Sequence, residues 1–166
     1  MDGSLAEANH TMPLSHSDQY HAAWVVPDLA AAMESFQTIG LRWATPTLRS
    51  IIVGRPNLAP TPFSILVSYS CDGPLHVELI QGAAESPWEP LADGVMHHLG
   101  WWVDDLRQSI AMLESESHVL ESWMVGEDGG PARFAYLRAP GGQLVEVVDA
   151  AIRPNLMAWL RGETYV

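Results

Sequence analysis

The sequence contains no lysine and only one cysteine among its 166 residues. Without lysine there is no Schiff-base chemistry and no phosphate-loop lysine. Eight arginines against twenty acidic residues leave a formal charge of −12, which repels nucleic-acid phosphates and anionic membrane surfaces. The lone Cys71 cannot form an internal disulfide, which fits a reducing, cytoplasmic setting. It lies in "SYSCDGPL", where it reads as a small residue flanking a turn rather than a catalytic thiol. No apolar run approaches the ~20 residues a membrane span needs. The opening "MDGSLAEANHTMPLSHSDQ" has neither a basic patch nor an apolar stretch of the secretory kind. Residues 1–18 read as a flexible leader in which His10 and His16 are solvated.

Apolar residues, by contrast, make up 48% of the chain and charged ones 17%, enough for a real core and too apolar for global disorder. The length suits one compact domain, or two small halves sharing a core.

A repeat supports the second form. "YHAAWVVPDL" at 20–29 returns as "HHLGWWVDDL" at 97–106, and a shift of 77 residues lays His21 on His98, Trp24 on Trp101 and Asp28 on Asp105. Each copy opens as a short β-type run and passes an N-capping aspartate. It continues with apolar residues at helical spacing: Leu29, Met33 and Phe36, then Leu106, Ile110 and Leu113. Further strands follow in each half, "LRSIIVG", "FSILVSYS" and "LHVELIQ" against "HVLESWMV", "RFAYLRA" and "QLVEVVD". Both halves thus read β-α-β-β-β, over 19–82 and 96–150, joined by a turn-rich linker at 83–95. The first half runs 57 residues from His21 to Glu78, the second 48 from His98 to Glu146. The Pro-rich "GRPNLAPTP" reads as the loop holding the surplus. Residues 151–166 form a tail with a short helix whose Leu156, Trp159 and Leu160 would cover an open sheet edge.

Strand residues alternate faces. His21 goes with Ala23 and Val25, His98 with Gly100 and Trp102, Glu78 with His76 and Ile80, and Glu146 with Leu144 and Val148. A carboxylate inside an apolar strand is costly unless partnered. Here it occurs twice, at matching places in two repeats that each begin with a strand histidine. A divalent cation would answer both carboxylates at once.

At these residues the chain resembles the vicinal oxygen chelate superfamily, which includes glyoxalase I, methylmalonyl-CoA epimerase, extradiol dioxygenases and bleomycin-resistance proteins. "HAAWVVPDLAAAMESF" is similar to its opening strand and helix, and "HVELIQ", "HHLGWWVDDL" and "GGQLVEVVD" to its other metal-bearing strands. The resemblance covers about residues 20–150. It implies an α+β fold of two paired βαβββ modules forming a curved mixed sheet around a central pocket, with helices outside. Carried over position by position, the metal ligands are His21, Glu78, His98 and Glu146. A fourth protein ligand, Glu78, is more in keeping with Zn, Ni, Co or Mn than with the Fe of ring-cleaving dioxygenases.

By the same resemblance the expected activity is proton transfer next to a carbonyl, as isomerase, epimerase or lyase. Glu146, or a water on the metal, would move the proton. Methylmalonyl-CoA epimerases carry a further glutamate where this chain has "LRWATPTLRSIIVGRP", without a carboxylate. His76 is the candidate second proton carrier. His97 is expected to pack outward. Trp102 is expected to line the substrate pocket, and Trp24 and Trp101 to pack beneath the helices. Trp43, Trp88 and Trp123 are candidates for an aromatic wall. Arg138 and Arg133 would meet an anionic group or serve as surface charges. Many aromatics and few cations favour a small hydrophobic or cyclic carbonyl substrate over a coenzyme A thioester. Two alternatives stand beside this reading: an Fe(II)-dependent ring-cleaving dioxygenase, and a non-catalytic protein sequestering an apolar drug or metabolite. A homodimer is expected, with no nucleic-acid or membrane partner.

Overall fold

The computed structural model describes residues 14–91 and 94–164; most of the expected leader, His10 included, lies outside them. The first half contributes β1 (Gln19–Val25), α1 (Leu29–Gln37), β2 (Thr47–Arg55), β3 (Leu58–Tyr69) and β4 (His76–Gln81). The second contributes β5 (His98–Val103), α2 (Leu106–Ser115), β6 (Val119–Val125), β7 (Pro131–Arg138) and β8 (Leu144–Asp149). A 3-10 turn (Ala150–Ile152) leads into α3 (Arg153–Leu160). Both predicted caps form: Asp28 Oδ1 accepts the Ala31 N–H at 3.0 Å, and Asp105 Oδ1 that of Gln108 at 2.9 Å, satisfying donors that have no partner within the helix. None of the described helices is long and apolar enough to cross a membrane.

The eight strands close into a barrel in the order β1-β4-β3-β2-β6-β7-β8-β5. β1 and β4 run parallel, as do β5 and β8, so the sheet is mixed. The halves join at two seams, β1 on β5 and β2 on β6. Closure matters for function, because inward side chains of both halves now share one interior. The expected curved mixed sheet is therefore present, drawn into a full ring.

Two layers of apolar packing hold it. Leu106, Ile110 and Leu113 of α2 bury against the outward face of β7 and β8, on Ala135, Leu137, Val145 and Val147. A fully buried leucine such as Leu113 contributes about 1.5–3 kcal/mol. α1 is more loosely seated; of its residues only Leu29 is fully buried. Inside the barrel, Ile51, Val53, Ile65, Val67, Ile80 and Val148 form the second cluster.

Two segments differ from the sequence reading. "GRPNLAPTP" is not a loop: its Leu58–Pro62 part belongs to β3, which pairs with β2 back to Arg55↔Leu58. β4 pairs with β3 only over 66–69, so Pro60 and Pro62 lie where one side of the strand has no ladder and a missing N–H goes unnoticed. The surplus residues lengthen a hairpin. The tail, likewise, does not cap an end strand, because the strand order closes on itself. Leu156, Trp159 and Leu160 of α3 join the interior cluster instead, and Trp159 Nε1 donates to the Thr45 carbonyl at 3.0 Å.

At the β2–β6 seam Gly54 lies opposite Trp123, and a Cβ on Gly54 would clash with the indole ring. Gly54→Ala should therefore destabilise the barrel by about 1–3 kcal/mol, read as a lower midpoint in urea unfolding. An unchanged midpoint would show that the seam adjusts freely.

Candidate metal centre

The four residues singled out from the repeat meet at the middle of the barrel. β1 and β5, adjacent and antiparallel, bring His21 and His98 together; the parallel partners β4 and β8 place Glu78 and Glu146 beside them. Both imidazoles have 0% exposure and both carboxylates 6%. One ligand atom from each residue lies within 4.8 Å of the others. His21 Nε2 is 3.3 Å from Glu78 Oε2 and 3.2 Å from Glu146 Oε2; His98 Nε2 is 3.3 and 3.4 Å from the same two oxygens. The two Nε2 atoms are 2.8 Å apart.

Nitrogen–oxygen separations of this size are the edges of a tetrahedral shell whose metal–donor bonds are about 2.0–2.1 Å. The shorter His–His separation is that of a shared proton. Glu78 Oε2 is buried and accepts no hydrogen bond of good geometry, and His21 Nδ1 is equally without one. Two carboxylates and two neutral imidazoles balance a divalent charge, and an oxygen–nitrogen set suits Zn, Ni, Co or Mn. The residues fit such a cation.

The two imidazoles are held by different means. His21 is wedged by rings, edge-on to Tyr20 at 4.3 Å and to Tyr69 at 5.5 Å. A Cβ at Gly100 would clash with its ring, so glycine is required there for clearance. His98 instead has a polar partner, its Nδ1 lying 2.8 Å from Nδ1 of His97. His97 does not pack outward as expected; it is buried and its Nε2 reaches the Pro87 carbonyl at 2.8 Å.

Burial alone would lower the His98 pKa, but Glu146, with Glu78 beside it, raises it to about 9. Burial pushes Glu146 up, yet His98 and His21 outweigh it and hold this carboxyl well below the usual range. His97 is lowered to about 4, by burial and then by the charge of His98.

Over this cluster lies a cavity of about 50 Å³, with Glu78 and Glu146 in its floor. Sequence reasoning overlooked four of its residues. Tyr20, Tyr69 and Tyr136 are buried phenols raised well above 10, each first by burial and then by Glu78 and Glu146, so they remain hydroxyl donors. Arg49 is the only cation on this wall among the described residues, its guanidinium 5.2 Å above the Trp159 ring. Alternation did carry a signal, since Arg49, Ile51 and Val53 share one face of β2. Trp88 joins the wall as expected, its Nε1 donating to the Tyr136 hydroxyl at 3.0 Å.

The other expected pocket residues lie elsewhere. Trp102 stacks on Tyr20 at 3.8 Å; β1 shifts register between Gln19 and His21, which puts Tyr20 between Trp102 and the cavity. Arg138 is held by Glu121 at 2.8 and 2.7 Å. It faces a separate depression of about 320 Å³. Arg133 is exposed. His76 is buried opposite His21, but its Nδ1 donates to the Ser70 carbonyl at 2.8 Å and it does not line the cavity. Trp43 packs outside, on Phe36, and Trp24 does likewise. Trp101 packs against the α2 layer, as does Trp123. Burial pushes the half-buried Cys71 thiol up, away from reactivity.

Residues 20–136 match the family model described as Glyoxalase/Bleomycin resistance protein/Dioxygenase superfamily; the chain belongs to this family. Among solved structures, a selenomethionine-labelled methylmalonyl-CoA epimerase is 20% identical, with a TM-score of 0.52 over 79% of this chain and 93% of that one. The methylmalonyl-CoA epimerase of Mycobacterium tuberculosis is 16% identical, with a TM-score of 0.50 over 84% and 93%. At such identities these similarities establish the fold. A search of curated protein sequences finds no match.

The raised pKa of His98 makes stability depend on pH. Its contribution is complete below the ordinary value of 6.5 and is lost as pH rises through about 9. Chelator-treated protein should therefore melt at lower temperature at pH 9 than at pH 6.5. A divalent cation replacing the proton should flatten that trend. A melting temperature constant across this window after chelation contradicts the assignment.

Proposed function

We infer that the protein is a divalent-metal-dependent enzyme that moves a proton next to the carbonyl group of a small, largely apolar substrate. The single observation behind this reading is the buried convergence of His21, Glu78, His98 and Glu146. A divalent cation held by these four would act as a Lewis acid toward a carbonyl oxygen. Glu146 borders the cavity and stays ionised across the working pH range, so it can accept a proton at its carboxylate. The Tyr136 hydroxyl, which already accepts the Trp88 N–H, keeps its own proton for Glu146 and helps orient it. Tyr20 and Tyr69, both on the cavity wall, supply donors toward negative charge developing on a substrate oxygen. Ile51, Ile65, Val67 and Phe134 exclude water, and Arg49 offers one positive charge to an anionic oxygen.

A volume of about 50 Å³ accommodates a few water molecules or a small organic group, which favours a compact carbonyl compound over a coenzyme A thioester. With His76 outside the cavity, Glu78 is the carboxylate we assign to the role of second proton carrier. The reading includes a homodimer, supported by the exposed Leu48 and Ile52 on the outer face of β2.

Protein purified without chelator should contain about one equivalent of Zn, Ni, Co or Mn. In D₂O it should exchange the α-proton of small 2-hydroxy or 2-methyl carbonyl compounds, followed by proton NMR. Glu146→Gln should slow that exchange by roughly 100-fold or more. Iron with oxygen uptake would replace this reading with the dioxygenase. Absence of metal, together with ligand affinity unaffected by Glu146→Ala, would replace it with the binding protein.

A further inference from the structure

His97 lies outside the four-residue cluster, yet its hydrogen bonds leave little freedom. A carbonyl oxygen only accepts, so the 2.8 Å contact from His97 Nε2 to the Pro87 oxygen puts the hydrogen of the neutral His97 ring on Nε2. Its Nδ1 is then an acceptor. The 2.8 Å contact between His97 Nδ1 and His98 Nδ1 must accordingly carry the hydrogen of His98. With Nδ1 of His98 protonated, the ring directs Nε2 at His21, Glu78 and Glu146. Its tautomer and rotation are set by one buried neighbour, itself anchored on the linker between the two halves.

The repeat shows that this is no consequence of the fold alone. The 77-residue shift that lays His98 on His21 lays His97 on Tyr20, and Tyr20 offers His21 only a ring edge. His21 Nδ1 accordingly has no hydrogen-bond partner among the described residues. The two halves orient equivalent imidazoles by unlike means, packing in one and a hydrogen-bond chain in the other.

We propose that His97 is a positioning residue for the metal ligand His98: Nδ1 of His97 accepts the Nδ1–H of His98, and the chain Pro87–His97–His98 holds the His98 Nε2 lone pair on the cation. This rests on the reading that the cluster binds a divalent cation. An outer partner of this kind orients the ligand ring and raises its basicity, and its loss weakens metal binding by 10–100-fold.

Three variants of the full chain separate the contacts. Asparagine can place Oδ1 where His97 has Nδ1, keeping the acceptor; glutamine can place its amide nitrogen where His97 has Nε2, keeping only the Pro87 bond; leucine keeps neither. Metal-stripped proteins are titrated with Co(II), followed by its visible absorption. H97N should bind within about threefold of the original chain, and H97Q and H97L 10–100-fold more weakly. In parallel, proton–nitrogen NMR of the metal-free proteins should show a slowly exchanging Nδ1–H on His98 in the original chain and in H97N, but not in H97Q or H97L. Co(II) affinity unchanged in H97Q or H97L, or H97N as weak as H97L, would overturn the proposal. So would an equally protected Nδ1–H in H97Q. If H97L does not fold, the comparison of H97N with H97Q decides. If the original chain takes up no Co(II), the cation reading fails, and the role of His97 as a metal-ligand positioner fails with it. The NMR comparison then shows whether the His97–His98 contact exists in its own right.

Discussion

Two glutamates inside a closed barrel impose the strictest condition on this molecule. A bare carboxylate at 6% exposure would be driven to protonate or to drag water into the core. Each is instead met by two imidazoles at 3.2–3.4 Å, and the set would balance a divalent cation. Removing one member would leave the others as uncompensated buried polar groups, a larger penalty than the pair contributes when intact. The rest of the architecture serves to keep these four groups together and dry.

Duplication achieves this with few parts. Each half supplies one histidine from its opening strand and one glutamate from its closing strand, and those strands are parallel neighbours in both halves. The β1–β5 seam then joins the two pairs. Strict symmetry ends there. One histidine is wedged by aromatic edges and a glycine; the other is tied through His97 to the linker. Tyr20, Tyr69 and Arg49 also come from the first half, whereas Tyr136 comes from the second. The cavity thus has two chemically different walls, as a site must if it is to treat the two sides of a substrate differently.

Much of this was legible in the sequence. Asp28 and Asp105 announce both helices, because a capping side chain acts on its own neighbours. "HVELIQ" and "QLVEVVD" display the out-of-place glutamates, because a lone carboxylate inside an apolar strand stands out from its immediate neighbours. Misreadings occurred where partners far along the chain decide. Pro60 and Pro62 look like loop residues until β4 is seen to stop short of them. Trp102 has the right parity for the pocket, but a register shift in β1 lays Tyr20 over it. Arg138 looks like a cation available to a ligand, yet Glu121, seventeen residues earlier, meets it across β6 and β7.

The sequence by itself determined the repeat, the strand-and-helix order, the four residues able to hold a metal, and the electrostatic hostility toward polyanions. These depend on periodicity, capping and composition, which act over a few residues or over the whole chain at once. Only the tertiary structure decided that the sheet closes, that α3 fills the interior rather than guarding an edge, and which way His97, Trp102 and Arg49 face. Those outcomes follow from strand register and from which surfaces meet, and a one-residue change in register reverses the face of every side chain that follows.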